Sequence, residues 1–164
     1  KMEIKLATES DIDRIKQIYY ECSADMQTKF GLDHWSNPYP QDVLKRRINN
    51  GMVYMVLQHS IQIGTFMLVP EYPESYINAV EEDDTSFLYL SRLAILPETQ
   101  SKGIGSKVLE NAEKIAREQG AKVLRLDLLS NHKHLEKFYI KNGYKKIGTG
   151  NTRRFTISFM EKEL

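Results

Sequence analysis

The stretch Leu93-Ala94-Ile95-Leu96-Pro97-Glu98-Thr99-Gln100-Ser101-Lys102-Gly103-Ile104-Gly105-Ser106 decides the fold. An apolar, extended run begins upstream at Phe87 and ends at Pro97, which has no N–H to offer a sheet ladder. Beyond the polar turn, Ile104, Val108, Leu109, Ala112, Ile115 and Ala116 recur at helical spacing, and Gly120 stands where a left-handed cap belongs. The unit is strand, glycine-containing turn, helix. Backbone N–H groups from Ser101 to Ser106 lie at the helix start, where the helix itself supplies no acceptor. With the helix dipole they form an anion site suited to a phosphate. Gly103 and Gly105 let a bulky diphosphate approach the main chain, and Lys102 adds positive charge.

Working outward, Glu3 to Ala7 alternates as a short strand. Thr8 and Ser10, each three residues before an aspartate, mark the start of a helix with Ile12, Ile15, Ile18, Tyr19 and Cys22 on one face. From Met26 to Pro40 the pattern dissolves into a loop punctuated by Gly and Pro that carries His34, Trp35 and Tyr39. Aromatics in such a loop suit the border of a binding site, or a plug over the core. Pro40 opens a second helix through Val43, Leu44, Arg47 and Ile48, ending at Gly51. Met52–Gln58 and Ile61–Val69 read as an antiparallel pair turning at His59-Ser60, with Gly64 marking a bulge or close backbone contact.

Pro70 to Ser86 reads as irregular, and its acidic run Glu81-Glu82-Asp83-Asp84 is either a solvated loop or a field for a cationic amine. Lys122–Leu129 is a strand, and Leu135, Phe138 and Tyr139 mark a short helix ending at Asn142-Gly143. Strands follow at Tyr144–Ile147 and around Phe155, Ile157 and Phe159. The order βααβββαβαββ is an α/β (α+β) sandwich, expected as a single domain over residues 1–164.

Composition narrows the function. Hydrophobic content of 41% and charged content of 27% are ordinary for a globular chain, and a net charge of +1 argues against a nucleic-acid surface. No apolar run reaches membrane-spanning length, and the N-terminus has no signal-peptide pattern. The single cysteine, Cys22, falls on the apolar stripe of the first helix and excludes an internal disulfide. The expectation is a cytoplasmic protein with no metal site, since His132 and His134 suit the surface at a helix start better than ligation.

A Walker loop is absent, and Val108 stands where G-x-G-x-x-G wants its third glycine. The turn does match Q/R-x-x-G-x-G/A, as Gln100-Ser101-Lys102-Gly103-Ile104-Gly105. Set after Leu93–Pro97 and before the helix, it resembles the acetyl-CoA signature of the GCN5-related N-acetyltransferases, the GNAT superfamily. Phe138-Tyr139-Ile140-Lys141-Asn142-Gly143-Tyr144 resembles that family's F/L-Y-x-K-x-G-F/Y segment. The resemblance implies a mixed, mostly antiparallel central sheet flanked by helices. It also implies that the strands on either side of the signature helix splay around pantetheine.

In that family pattern, main-chain groups of Leu93, Ala94 and Ile95 bond pantetheine, and Gln100, Ser101, Lys102, Gly103, Ile104, Gly105 and Ser106 wrap the diphosphate. An amide near Leu93 faces the thioester carbonyl. Phe138 belongs to the same cofactor-binding set. Tyr139 corresponds to the tyrosine that protonates the departing thiolate, with a core aromatic as the plainer reading. The family's cofactor-bonding asparagine falls on His132, with Asn131 one residue earlier. The strand positions that elsewhere hold a Glu or His base are Tyr89 and Ser91 here. A water relay through Tyr89, Ser91 or a backbone carbonyl is one route for the amine proton, and His34 is another base candidate.

The implied function is acetyl transfer from acetyl-CoA to a primary amine, most simply on a small molecule, with His34, Trp35, Tyr39, Tyr89 and Ser91 at the acceptor side. A peptide or protein N-acetyltransferase and a non-catalytic CoA-binding module are the rivals. Exposed sheet edges would suit a homodimer.

Overall fold

The computed structural model describes residues 1–100 and 103–164. Its strands are β1 (Met2–Leu6), β2 (Val53–Gln58), β3 (Ile61–Val69), β4 (Phe87–Ile95), β5 (Val123–Leu129), β6 (Lys145–Asn151) and β7 (Thr156–Glu163). They form a seven-stranded sheet in the order β1-β2-β3-β4-β5-β7-β6. The helices are α1 (Ile12–Phe30), α2 (Gln41–Asn49), α3 (Glu74–Ile77), α4 (Ile104–Glu118) and α5 (Lys133–Lys141). The sheet is mixed and mostly antiparallel, with β4 and β5 parallel and helices flanking it. The order matches the sequence expectation apart from α3, a single turn inside the segment expected to be irregular. By Cα proximity the chain divides into two compact units, Lys1–Met67 with Arg92–Asn111, and Leu68–Ser91 with Ala112–Leu164.

In the first unit, the Asp11 carboxylate accepts the Thr8 N–H at 2.8 Å and fixes the entry to α1. Helix α1 runs four residues past Met26, further than the apolar pattern reaches, because the residues of its last turn are exposed. Gly31, at φ 67°, ends it, its N–H bonding Gln27 O at 3.0 Å. Ile15, Ile18, Leu44, Val53, Met55, Phe66 and Met67 are fully buried, each contributing about 1.5–3 kcal/mol of apolar burial. The β2–β3 turn places His59 and Ser60 at φ 51° and 65°, the left-handed pair that suits the twist of a two-residue hairpin.

Both expectations for Gly64 hold. The β2–β3 register shifts between Val56 and Leu57, and a β-carbon on Gly64 would stand 2.8 Å from Ala94 O. Cys22 is buried, as the helix stripe predicts; its thiol faces Ile95 O at 3.2 Å, and burial pushes its pKa up to about 12.

In the second unit, Leu124, Leu126, Phe159 and Met160 form the fully buried centre. Tyr72 stacks between Tyr76 and Phe87 with centroids 3.8 Å apart on both sides. This tertiary stacking holds the one-turn α3, which has no periodicity for a sequence reading to find. Arg125 is buried and bonds the Glu161 carboxylate (Nε–Oε1 2.9 Å), the Asp83 carboxylate (Nη2–Oδ2 3.0 Å) and the Tyr72 hydroxyl. That guanidinium lowers the Asp83 pKa, so one member of the acidic run is an anchor for its own loop. Buried Glu113 accepts from Tyr144 Oη at 2.8 Å and from Lys162 Nζ at 3.0 Å, tying α4 to the chain's last strands.

Gly64→Ala forces its methyl against the Ala94 carbonyl, a backbone atom that cannot swing aside. The expected cost is about 1–3 kcal/mol, read as a lowered urea midpoint with an unchanged m-value.

Candidate active site

Within the first unit, Leu96 N–H donates to Ile63 O at 2.8 Å. By strand alternation the amides of Ile95 and Leu93 then point away from β3, as a ligand bonding this main chain requires. The Ile95 carbonyl is already engaged, accepting from Gln100 Nε2 at 2.7 Å and from Cys22 Sγ. Gln100 thus folds the turn back onto the end of β4. Gly103 follows at φ 75°, and its carbonyl accepts from Lys107 N–H at 3.2 Å as α4 begins. Ile104 is buried, while Gly105 and Ser106 are half-buried in the first helical turn, where N–H groups precede the helix's own acceptors. The expectations for Ser101 and Lys102 lie outside the described residues.

The same unit holds a pocket of about 530 Å³. Trp35 and Tyr39 line it, joined by Tyr19 of α1, whose ring meets each edge-on with centroids 5.9 Å apart. Arg92 of β4 also lines it, with its guanidinium carbon 4.3 Å from the Trp35 centroid, 4.9 Å from Tyr39 and 5.1 Å from Tyr19. Arg47 Nη1 donates to the Tyr39 hydroxyl at 2.8 Å and fixes that ring. His34 is half-buried behind this wall, with its ring centroid 6.0 Å from that of Trp35.

Arg92 and Tyr19 were not among the residues expected here. Arg92 sits at φ 51°, left-handed backbone inside a strand, which breaks the regular alternation of β4. The signal available in sequence was its being the one charged residue between Phe87 and Leu96.

In the second unit, the parallel register of β4 and β5 covers Phe87–Tyr89 against Val123–Arg125 and ends there, though both strands continue. Tyr89 is buried, and its hydroxyl donates to the exposed Asp127 carboxylate of β5. Burial and the Asp127 charge both push the Tyr89 pKa up, which removes it as a base in its own right. Ser91 is half-buried.

Tyr139 is buried on α5, its ring 5.2 Å from that of Phe138 and 5.5 Å from that of Tyr144. Burial, then the Asp127 charge, raises its pKa and keeps the phenol protonated. His132 is the N-cap of α5, its buried Nδ1 accepting Leu135 N–H at 3.4 Å, while Asn131 is exposed. Burial, and secondarily His134, lowers the His132 pKa.

Among the described residues, no group of three or more His, Cys, Asp or Glu is placed to hold a metal ion. Among the described residues, too, no helix is long and apolar enough to cross a membrane.

The strand order, the glycine turn into α4 and the tyrosine-bearing α5 define the acetyltransferase class of mixed α/β folds. The chain belongs to the GNAT acetyltransferase family: the family model described as "Acetyltransferase (GNAT) domain" matches residues 49–146. Members of this family take the acetyl group from acetyl-CoA. The structure is similar to a GNAT-family acetyltransferase from Streptococcus agalactiae, with TM-score 0.86 and 20% identity over 99% of this chain and 95% of that one. It is also similar to PaiA N-acetyltransferase from Thermoplasma acidophilum in complex with coenzyme A (TM-score 0.74, 22% identity, 100% and 99% covered). A third similar structure is yncA from Salmonella typhimurium with its cofactor acetyl-CoA (TM-score 0.71, 19% identity, 100% and 94% covered). No curated protein matches the sequence.

The depressed His132 pKa has a defined pH consequence. Below its ordinary value of 6.5, the unfolded chain binds a proton that the native imidazole refuses, so stability is full above that pH and falls as pH drops through it. His132→Asn keeps a capping acceptor and is expected to flatten the change in urea midpoint between about pH 7.5 and pH 5.5.

Proposed function

We propose that the chain transfers an acetyl group from acetyl-CoA to the primary amine of a small molecule, and that residues 1–164 act as one catalytic domain. The observation that carries this reading is the β4–turn–α4 segment. Its Leu93 and Ile95 amides face away from β3, and a left-handed glycine leads into a helix N-terminus. Bound acetyl-CoA supplies the acetyl group as a thioester, which a neutral amine can attack directly with loss of the thiolate.

In this reading the main chain at Leu93, Ala94 and Ile95 lies along the pantetheine arm, with the Ile95 amide donating to it, since Gln100 and Cys22 already use the Ile95 carbonyl and the Ala94 amide faces β3. Gln100 acts by shaping the turn, and Ser101 to Ser106 receive the diphosphate. The Leu93 amide donates to the carbonyl oxygen as negative charge develops. Asn131 and Phe138 complete the cofactor contacts by the family pattern, the asparagine role passing to Asn131 because His132 is spent on its cap. Tyr139, held protonated, gives its proton to the leaving sulfur. The amine proton leaves by water through the Tyr89 hydroxyl toward Asp127, a relay favoured by the hydrogen bond between them. Trp35 and Tyr39, with His34 behind them, wall the acceptor side.

Thiol release from acetyl-CoA across a panel of amines tests the proposal. Turnover is expected, and Tyr139→Phe should lower kcat about 100-fold while leaving CoA affinity within roughly twofold. An unchanged kcat in Tyr139→Phe would remove the tyrosine from its role. CoA binding without turnover of any amine would favour a non-catalytic CoA-binding module.

A further inference from the structure

We infer that the small acceptor is a short peptide of about four residues, laid along α1 in the pocket of the first unit and acetylated on its N-terminal amine. The inference rests on the acetyltransferase reading above and specifies its acceptor. The pocket holds about 530 Å³ and is elongated. Its α1 wall runs from Lys16 to Thr28 in alternating steps of three and one, which is one unbroken helix face. The rise from residue 16 to residue 28 is about 18 Å. The rings of Tyr19, Trp35 and Tyr39 cluster within 5.1 Å of Arg92, which precedes Leu93 in the chain. The aromatic end of the pocket is thus one side chain's reach from the main chain assigned to the thioester.

From Tyr19 the wall continues to Thr28, about 13 Å along the helix axis, the reach of about four extended peptide residues. This outer stretch is polar without being acidic. Gln27, Thr28, Ser36 and Asn37 line it and are exposed. Among the described residues, the side chains of Thr28, Ser36 and Asn37 make no hydrogen bond, and Gln27 gives only a long one, Nε2 to Ser23 Oγ at 3.4 Å. A side-chain amide offers a donor and an acceptor together, which a peptide unit matches with its C=O and N–H. Among the described lining residues none is Asp or Glu, so the further ammonium groups of a polyamine meet no carboxylate. The rings at the inner end suit an apolar first side chain.

The acceptor nitrogen points the same way. Attack on the thioester needs a neutral amine, and burial with the Asp127 charge removes Tyr89 as a base. The N-terminal amine of a peptide, with an ordinary pKa of about 7.7–8.0, is about one-third neutral at pH 7.5. An alkyl amine of the lysine type, near about 10.4, is only about 0.1% neutral there. A peptide amine reaches the site ready to react.

The experiment measures kcat/KM for thiol release at pH 7.5 and saturating acetyl-CoA. The acceptors are the tetrapeptide Leu-Ser-Gly-Ser with an amidated C-terminus, leucinamide, isoamylamine, glucosamine and spermidine. The tetrapeptide is expected to exceed leucinamide at least about tenfold, largely through KM. Leucinamide, which has the same kind of amine, is expected to exceed isoamylamine at least about tenfold. The double variant Gln27→Ala with Asn37→Ala should narrow the tetrapeptide's advantage over leucinamide to about threefold or less. Leucinamide equalling the tetrapeptide overturns the inference while leaving the acetyltransferase reading intact, as does isoamylamine equalling leucinamide. So does a preference for glucosamine or spermidine, or an undiminished tetrapeptide advantage in double-variant protein with a native circular dichroism spectrum. Absence of turnover with every amine, in protein that binds CoA, removes the acetyltransferase reading and this inference with it.

Discussion

The main chain of β4 is under a double demand, and much of the first unit is arranged to meet it. On one side it must seat against β3, where the Leu96 amide bonds Ile63 O and Gly64 yields the space a β-carbon would take from Ala94 O. On the other side the amides of Leu93 and Ile95 face away from β3, where the proposed function has a coenzyme bond them. A regular strand of ten apolar residues would bury both edges in ladder bonds. The left-handed residue at Arg92 and the end of the β4–β5 register at Tyr89 interrupt that regularity within one strand.

The turn after β4 is shaped by the same economy of backbone groups. The Ile95 carbonyl, the last of the strand, is satisfied by the Cys22 side chain of α1, 73 residues earlier, and by Gln100 from the turn itself. The glutamine of the signature thus holds the start of the turn against the end of the strand. Gly103 then adopts the positive φ that a bulkier residue resists, and α4 starts with its N-terminus at the turn.

The strand–turn–helix unit was legible in sequence because its determinants are local: a proline stop, a glycine pair and a helical stripe. Helix α1's extra turn, α3, and the Arg92 kink were not. The last turn of α1 is exposed and so carries no apolar signal, while α3 and the kink depend on contacts between residues far apart in the chain, such as Tyr72 against Phe87 or Arg92 against Trp35. Trp35 and Tyr39 were recognisable from their setting in a Gly/Pro-punctuated loop. Tyr19 was hidden by its place on a core stripe, which it occupies while also lining the pocket. Tyr89 was legible as a strand position but not as a hydrogen-bond donor, since nothing in sequence pairs it with Asp127, 38 residues on.

In the proposed function the pocket bounds the acceptor and the turn holds the donor by backbone amides, and the turn is the foundation. Titration of coenzyme A into the purified protein by isothermal calorimetry tests it most directly. The account predicts a one-to-one isotherm with Kd between about 1 μM and 1 mM. Absence of binding heat with coenzyme A at several times the upper end of that range would contradict it.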